Sequence, residues 1–414
     1  MKFTDTPILD TLKSYLKKIK IRLHVPFHNG IANNSFLPQE IYNLDISEIT
    51  GFDLEGSKNP IYQSEKITAK LFGVSHSFYL TNGASQGILA SLLSLSVLGK
   101  NVIVARNVHK SVINGLILSG LNPIWVDVDF NSDWGIFSAI NISRIKKAIE
   151  KNKNIAGGII TSPTYEGVIS GVKEISKLCH LNNIPLIVDE AHGGHFDFCD
   201  GLTSSVNLGA DLVIQSWHKS LGSLTQTGVL HLVNKRFFDY KDIKRNLDLV
   251  SSTSPSFLLL ISLELTRKYL LEDGKNDYKC LIKYSNQLKK EILNLNNIDS
   301  CFSLDPLKIL LKHKFLTAEE FSNLLYEKGV EVESVNNSSL LILLGRSLNE
   351  NILQKIKVAI CEIDKMKKNK TISKKSVLKK WKQRSNPRLA FIKGEDVHAP
   401  CPPGYAINVP GVRY

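Results

Sequence analysis

Three segments carry residues whose types and spacing suit chemistry. The first is QSWHKSLGSLTQTG, residues 215–228, where Lys219 follows an apolar run and is flanked by Ser216, His218 and Ser220. A lysine that condenses with a carbonyl needs a depressed pKa and a fixed position, and a strand end in a cleft supplies both. Ser216 and His218 have the polarity to hold a phosphate. The second is VDEAHGG, residues 188–194, which places Asp189 and Glu190 at the end of another apolar run. Asp189 suits a cofactor whose ring nitrogen must stay protonated, as in pyridoxal phosphate (PLP); a strand-end carboxylate that caps a turn is the plainer alternative. The third is NGASQG, residues 82–87, whose small residues let backbone N–H groups and the Ser85 hydroxyl face an anion at a helix start. It has neither the GxGxxG nor the GK[ST] pattern. A metal reading built on His192, His195 and Asp197 lacks a third ligand at a zinc spacing, so no metal is expected.

These segments must be positioned, and the apolar pattern says how. FYLT (78–81), VIVAR (102–106), PIWVDV (123–128), AGGIITSP (156–163), PLIVDEA (185–191), LVIQSW (212–217) and GVLHLV (228–233) are strand-like and mostly separated by helix-length segments. Seven such runs predict a mainly parallel sheet covered on both faces. The link from Trp217 to Gly228 is too short for a crossover helix, so the last strand is expected to be antiparallel. Such sheets bind ligands beyond the carboxyl ends of their strands, which directs attention to Asn82, Asn107, His109, Thr161, Asp189 and His192. Beyond residue 255 a helical run, SFLLLISLELTRKYLL, leads to a smaller α+β region. There KILLK (308–312), VEVESV (330–335) and LLILL (340–344) predict strands, Thr317 and Glu320 form a capping box, and 349–368 is helical. The expected division is an N-terminal segment (1–60), a large cofactor domain (61–275), a small α+β domain (276–368), and a basic linker with a Pro/Gly-rich tail (369–414).

Composition narrows the class. With 414 residues, 43% hydrophobic and 22% charged, the chain reads as a soluble globular protein of more than one domain. No apolar run is long enough for a membrane span, and the first residues lack a signal-peptide core. Six scattered cysteines without a CxxC pair suggest neither zinc nor disulfides, and fit a reducing cytoplasm. The net charge of +13 is concentrated between Lys365 and Lys393, which hold twelve Lys or Arg and no Asp or Glu. With few interleaved aromatics, this stretch reads as a solvated helix and linker rather than a nucleic-acid site.

Taken in order, the motifs resemble the fold type I PLP enzymes, and within them the ornithine/lysine/arginine decarboxylase family. NGASQG resembles that family's phosphate-binding NGTS turn, and RNVHKSVINGLILSG its RNCHKSV segment. TSPTYEGV resembles TNPTYYGV, VDEAHGGHF the DEAHG motif, SWHKSLGSLTQTG the STHK motif, and SSTSPSFLLLISLE the TSPSY segment. The resemblance implies Lys219 as the Schiff-base lysine, Asp189 on the pyridine nitrogen, and His192 beside the ring. It implies His109 stacked on the ring, Gly83, Ala84, Ser85, Ser216 and His218 at the phosphate, and Thr253 and Ser254 near the substrate. It further implies α-decarboxylation of arginine or lysine, before ornithine, by a homodimer. Another fold type I activity, aminotransferase or aldolase, and a non-catalytic PLP-binding protein are the alternatives. In the homodimer, the apolar face of Phe257 to Leu263 is expected to be buried between subunits.

The chain departs from the pattern in places. The family's PGHK reads Pro26, Phe27, His28, Asn29, and its GLDDL reads Gly51, Phe52, Asp53, Leu54. The NGTS threonine is Ala84. The C-terminal YPPGIP reads Cys401, Pro402, Pro403, Gly404, Tyr405, Ala406.

Overall fold

The computed structural model describes residues 2–32, 37–47, 49–52, 56–302, 305–367, 381–399 and 404–413. Asp53, Leu54, Cys401 to Pro403 and the 368–380 part of the basic stretch lie outside these residues.

The main sheet contains β1 (His76–Leu80), β2 (Asn101–Ala105), β3 (Asn122–Val126), and, after a short hairpin of β4 (Phe130–Asn131) and β5 (Ile136–Phe137), β6 (Ile155–Thr161), β7 (Leu186–Asp189), β8 (Leu212–Gln215) and β9 (Gly228–Leu232). Their spatial order is β1-β9-β8-β7-β6-β2-β3. All neighbours are parallel except β9, which is antiparallel to both β1 and β8. This is the expected seven-stranded fold type I sheet. β7 and β8 are buried along their whole length, which is why LIVD and LVIQ read as continuous rather than alternating apolar runs. Helix Gly83–Leu95 packs between helices Lys110–Ser119 and Tyr240–Leu249 over the core of this sheet.

A second, four-stranded antiparallel sheet has the order β10-β11-β13-β12, from β10 (Ile298–Phe302), β11 (Lys308–His313), β12 (Ser334–Val335) and β13 (Leu340–Leu343). Helices Lys275–Leu293, Ala318–Glu327 and Glu350–Asp364 accompany it, the second opened by the Thr317/Glu320 capping box. Of the VEVESV run only its last two residues are strand. β10 carries Asp299 and Ser300 at the sheet edge, so its sequence gives no apolar run.

The apolar face of Phe257 to Leu263 is buried within its own chain, which corrects the expectation that a second subunit covers it. Phe257, Leu260, Ile261 and Leu263 are each at most 5% exposed. They share a core with Ile8 and Leu12 of helix Pro7–Lys18, and with Phe52, whose ring meets that of Phe257 edge-on at 4.6 Å. Glu264 fastens this helix by accepting the N–H groups of Ile8 (3.0 Å) and Leu9 (2.9 Å) in its first turn.

The C-terminal residues fold back onto the large sheet. Trp381 meets Trp125 edge-on at 5.1 Å, and Trp125 Nε1 donates to Gln383 Oε1 at 2.5 Å. Helix Pro387–Ile392 packs on helix Lys110–Ser119, and β14 (Lys382–Gln383) pairs with β15 (Val412–Arg413). Part of the basic stretch is thus a strap against the sheet.

Candidate active site

The strand ends bring the singled-out residues together. Asp189 is the last residue of β7 and lies opposite Thr161 of β6. It is 4% exposed, and its Oδ1 accepts the Ala191 N–H at 3.1 Å. Burial raises its pKa, opposed by the charge of Lys219 and by that N–H. Strand alternation sends the neighbouring Glu190 the other way. There it accepts from the Ser204 hydroxyl, the Ser205 N–H and the Gln215 amide, and burial pushes its pKa up to about 7. The two carboxylates therefore divide: Asp189 faces the site, and Glu190 ties down a loop.

Lys219 sits on the short helix Trp217–Ser220 that follows β8, anchored by Trp217, which is fully buried and donates its indole N–H to Gln215 at 3.0 Å. Lys219 Nζ lies 3.1 Å from His192 Nε2. Burial holds His192 well below the usual histidine range, helped by the charges of Lys219 and Lys308. His192 is thus a neutral acceptor for the ammonium. His218 donates Nδ1–H to the Thr227 carbonyl at 2.8 Å, and burial lowers its pKa. That bond leaves Nε2 as the free ring nitrogen. His109 caps helix Lys110–Ser119, its Nδ1 accepting the Ser111 N–H at 3.1 Å. Burial, then Lys219 and Lys110, lower its pKa to about 4, so this ring is neutral too.

Gly83, Ala84 and Ser85 open helix Gly83–Leu95, and the Gly83 N–H donates to the Gln226 carbonyl at 2.7 Å. The first-turn amides beyond it have no acceptor within the helix. Gly228 lets this turn approach the β8 end: a Cβ there would stand 2.8 Å from the Gln215 carbonyl oxygen and 3.2 Å from the Ala84 nitrogen. Ser216 is 2% exposed at the start of the Lys219 helix. Thr253 and Ser254 are exposed and lie beside Ser251, which Gln86 of helix Gly83–Leu95 contacts; neither lines the cavity at Lys219. Among the described residues no His/Cys/Asp/Glu group could hold a metal.

A cavity of about 200 Å³ is lined by His192, His218, Lys219 and Ser220 together with Leu307, Lys308, Leu343 and Arg346. Three buried polar atoms near the strand ends, Asn107 Oδ1, Thr161 Oγ1 and Ser220 Oγ, have no hydrogen-bond partner. Buried polar atoms in native sites are normally satisfied. The set therefore suits a polar, anionic, carbonyl-bearing ring such as PLP, for which Lys219, Asp189 and the Gly83–Ser85 turn have the matching chemistry.

A second layer was not anticipated. The Tyr165 ring meets His192 edge-on at 4.9 Å, and its hydroxyl donates to Glu333 at 2.6 Å. Lys308 is buried, donates Nζ to the Tyr165 carbonyl at 2.8 Å, and lies 3.7 Å from Asp305. Burial would raise the Asp305 pKa, but His195, 3.2 Å away, and Lys308 hold it down to about 2. Tyr405 adds a hydroxyl that donates to Glu166 at 3.1 Å. One signal was available: a lysine opening the apolar strand KILLK has to find a buried partner.

A family model, "Orn/Lys/Arg decarboxylase, major domain", matches residues 6–318. The chain belongs to the Orn/Lys/Arg decarboxylase family. It is 31% identical over 368 residues to an arginine decarboxylase of Bacillus anthracis, covering 84% of this chain and 74% of that relative. An arginine decarboxylase of Bacillus subtilis is 29% identical over 379 residues, 87% of this chain and 77% of the relative. Among solved structures, the lysine decarboxylase LdcF of Francisella novicida superposes with a TM-score of 0.81 at 18% identity, covering 99% of this chain and 75% of that one. That likeness shows the shared fold. The family membership makes the chain a decarboxylase, and its fold type I relatives are generally PLP-dependent.

Proposed function

We propose that this chain is a PLP-dependent decarboxylase of a basic amino acid, with arginine as the first candidate substrate. The observation that carries this reading is the convergence of Asp189, His192 and Lys219 at adjacent strand ends in a chain of this family. Arginine comes first because the Bacillus relatives at 31% and 29% identity carry that activity in their names. PLP, when bound, supplies an electron-accepting ring for the pair left behind as an α-carboxylate departs.

The side chains divide the remaining work. Lys219 would hold the cofactor's carbonyl carbon through Nζ. Neutral His192 accepts a hydrogen bond from Nζ, which fixes the position of the amine without taking its proton. Asp189 would hold a proton on the ring nitrogen, a counter-charge that offsets the cost of burying its carboxylate. The Gly83–Ser85 amides, Ser216 and His218 would bind the phosphate. His109, neutral and fixed by its capping bond, offers a flat face for stacking. Lys219 Nζ would return a proton to Cα, since His218 Nε2 carries none while Nδ1–H is held by the Thr227 carbonyl.

The proposal includes a homodimer in which a second copy presents Thr253 and Ser254 to the site. The proposed domain bounds, 61–275 and 276–368, are supported by the separation of the two sheets, which lie within 76–232 and 298–343. The unpaired cysteines at 179, 199, 280, 301 and 361 suit the cytoplasm. The deciding assay measures CO₂ and amine from arginine, lysine and ornithine with added PLP. Amine and CO₂ in equal amounts, fastest from arginine, supports the reading. Keto acid without CO₂ would make the chain an aminotransferase, and cofactor uptake without turnover a non-catalytic relative.

A further inference from the structure

We infer that Gly404 and Tyr405, at the end of the C-terminal strap, are positioning residues that fix the orientation of His109 against the cofactor. The inference rests on the PLP reading of the site. His109 is held on one edge by its own helix: Nδ1 accepts the Ser111 N–H at 3.1 Å and lies 2.9 Å from the Ser111 hydroxyl. Its opposite edge, Cδ2 and Nε2, faces Gly404. A Cβ at position 404 would stand closer than 3.0 Å to both ring atoms, and the glycine has φ +76°. Only glycine satisfies both conditions. The Gly404 carbonyl accepts the Lys110 N–H at 2.9 Å, and Tyr405 forms a backbone bridge with His109, so the strap's backbone is registered on this residue.

Tyr405 carries the restraint further. Its hydroxyl accepts the Tyr165 N–H at 3.0 Å and donates to Glu166 at 3.1 Å, while its ring meets Phe137 edge-on at 5.3 Å. Tyr165 in turn packs on His192. The strap thus touches the surroundings of both histidines. It is anchored independently of them, through Trp381 and Gln383 on Trp125 and through helix Pro387–Ile392 on the helix that His109 caps. An imidazole gripped on two edges has one orientation, and a stacking partner fixed before binding spares the entropy of fixing it afterwards.

The test compares Gly404→Ala with Gly394→Ala. Gly394 lies in the same strap at φ +94° with nothing within 4 Å, so its variant imposes similar backbone strain and no contact. Apoprotein is titrated with PLP, following the dissociation constant and the visible absorption maximum, alongside thermal melting. Gly404→Ala is expected to weaken PLP binding by roughly tenfold or more and to move the absorption maximum. Gly394→Ala is expected to match the wild type in both while losing some melting temperature from its backbone strain, though less than Gly404→Ala. Tyr405→Phe, which keeps the ring and loses the hydroxyl ties, is expected to fall between them and carries the test if Gly404→Ala does not fold. Wild-type affinity and spectrum in both Gly404→Ala and Tyr405→Phe would overturn the inference, as would an equal loss in Gly394→Ala. A wild-type protein that takes up no PLP removes the cofactor reading and this inference together, and is recognised by equally blank titrations in every variant.

Discussion

Asp189→Asn changes one charge at the end of β7 and almost no volume. The Asn Oδ1 can still accept the Ala191 N–H that Asp189 takes at 3.1 Å. The site is 4% exposed, so the effect should be electrostatic. In the apoprotein, burial has raised the Asp189 pKa. The folded state then holds this proton more tightly than the unfolded chain. Stability is therefore lost as pH rises above the ordinary carboxylate value, and at pH 7 the buried charge is a liability. The neutral amide removes it, so apo Asp189→Asn should melt higher than wild type at pH 7, with the gap closing toward pH 4. With cofactor bound the sign reverses. Opposite charges about 4 Å apart at an effective dielectric of about 20 attract by roughly 4 kcal/mol. Losing that attraction as the ring nitrogen takes up charge should slow turnover by about a hundred- to a thousandfold. Single-turnover CO₂ release and apo melting curves measure the two halves. Wild-type turnover, or an apoprotein that melts lower, would refute the reasoning.

Borohydride reduction of the loaded protein should attach the cofactor to the peptide containing Lys219, with no label in Lys219→Ala; a label on another lysine would reassign the site. Among the histidines whose pKa values burial pushes down, His109 falls to about 4 and His231 to about 3. The unfolded chain binds protons on them that the fold refuses, so stability should fall as pH drops below about 6.5, by about 1.4 kcal/mol per pH unit for each. Asp189 and Glu190, whose pKa values are raised, act the other way over this range, so the contribution of His231 is read by comparison: the urea midpoint of His231→Asn should approach that of the wild type as pH falls from 7 to 5, and a constant gap would contradict this. Mixing Lys219→Ala with a Thr253→Ala, Ser254→Ala double variant should restore activity if a partner subunit supplies that segment. No recovery despite proven subunit exchange would return the segment to its own chain.

The large sheet was legible because strands buried on both faces leave continuous apolar runs, and the antiparallel β9 followed from the length of one connection. The residues at the strand ends were legible for the same reason: Asp189 and Lys219 end or follow such runs, and the sheet has one ligand-facing end. The second layer was hidden because it is assembled from distant chain. Tyr405 meets Tyr165 across 240 residues, and Lys308 reaches Tyr165 across 143. β10 was missed because an edge strand needs no apolar alternation. Phe257 to Leu263 was misassigned because its cover, helix Pro7–Lys18, carries mixed Lys and Leu and gives no local sign of what it packs on.

The sheet order imposes a timetable on biosynthesis. β1 lies at the sheet edge and bonds only to β9. It leaves the ribosome early, followed at once by the glycine turn of helix Gly83–Leu95, yet neither has its partner until Gln226 and β9 are made. At about 5–20 residues per second that wait is on the order of ten seconds. Throughout it, a short apolar strand with open hydrogen-bonding groups is exposed to whatever else is nearby. The Gly83–Ser85 turn, encoded among the first parts of the sheet, is therefore among the last to be completed. The strap that grips His109 comes later still. On the proposed reading of that turn, a chain released before β9 is made should be unable to retain PLP.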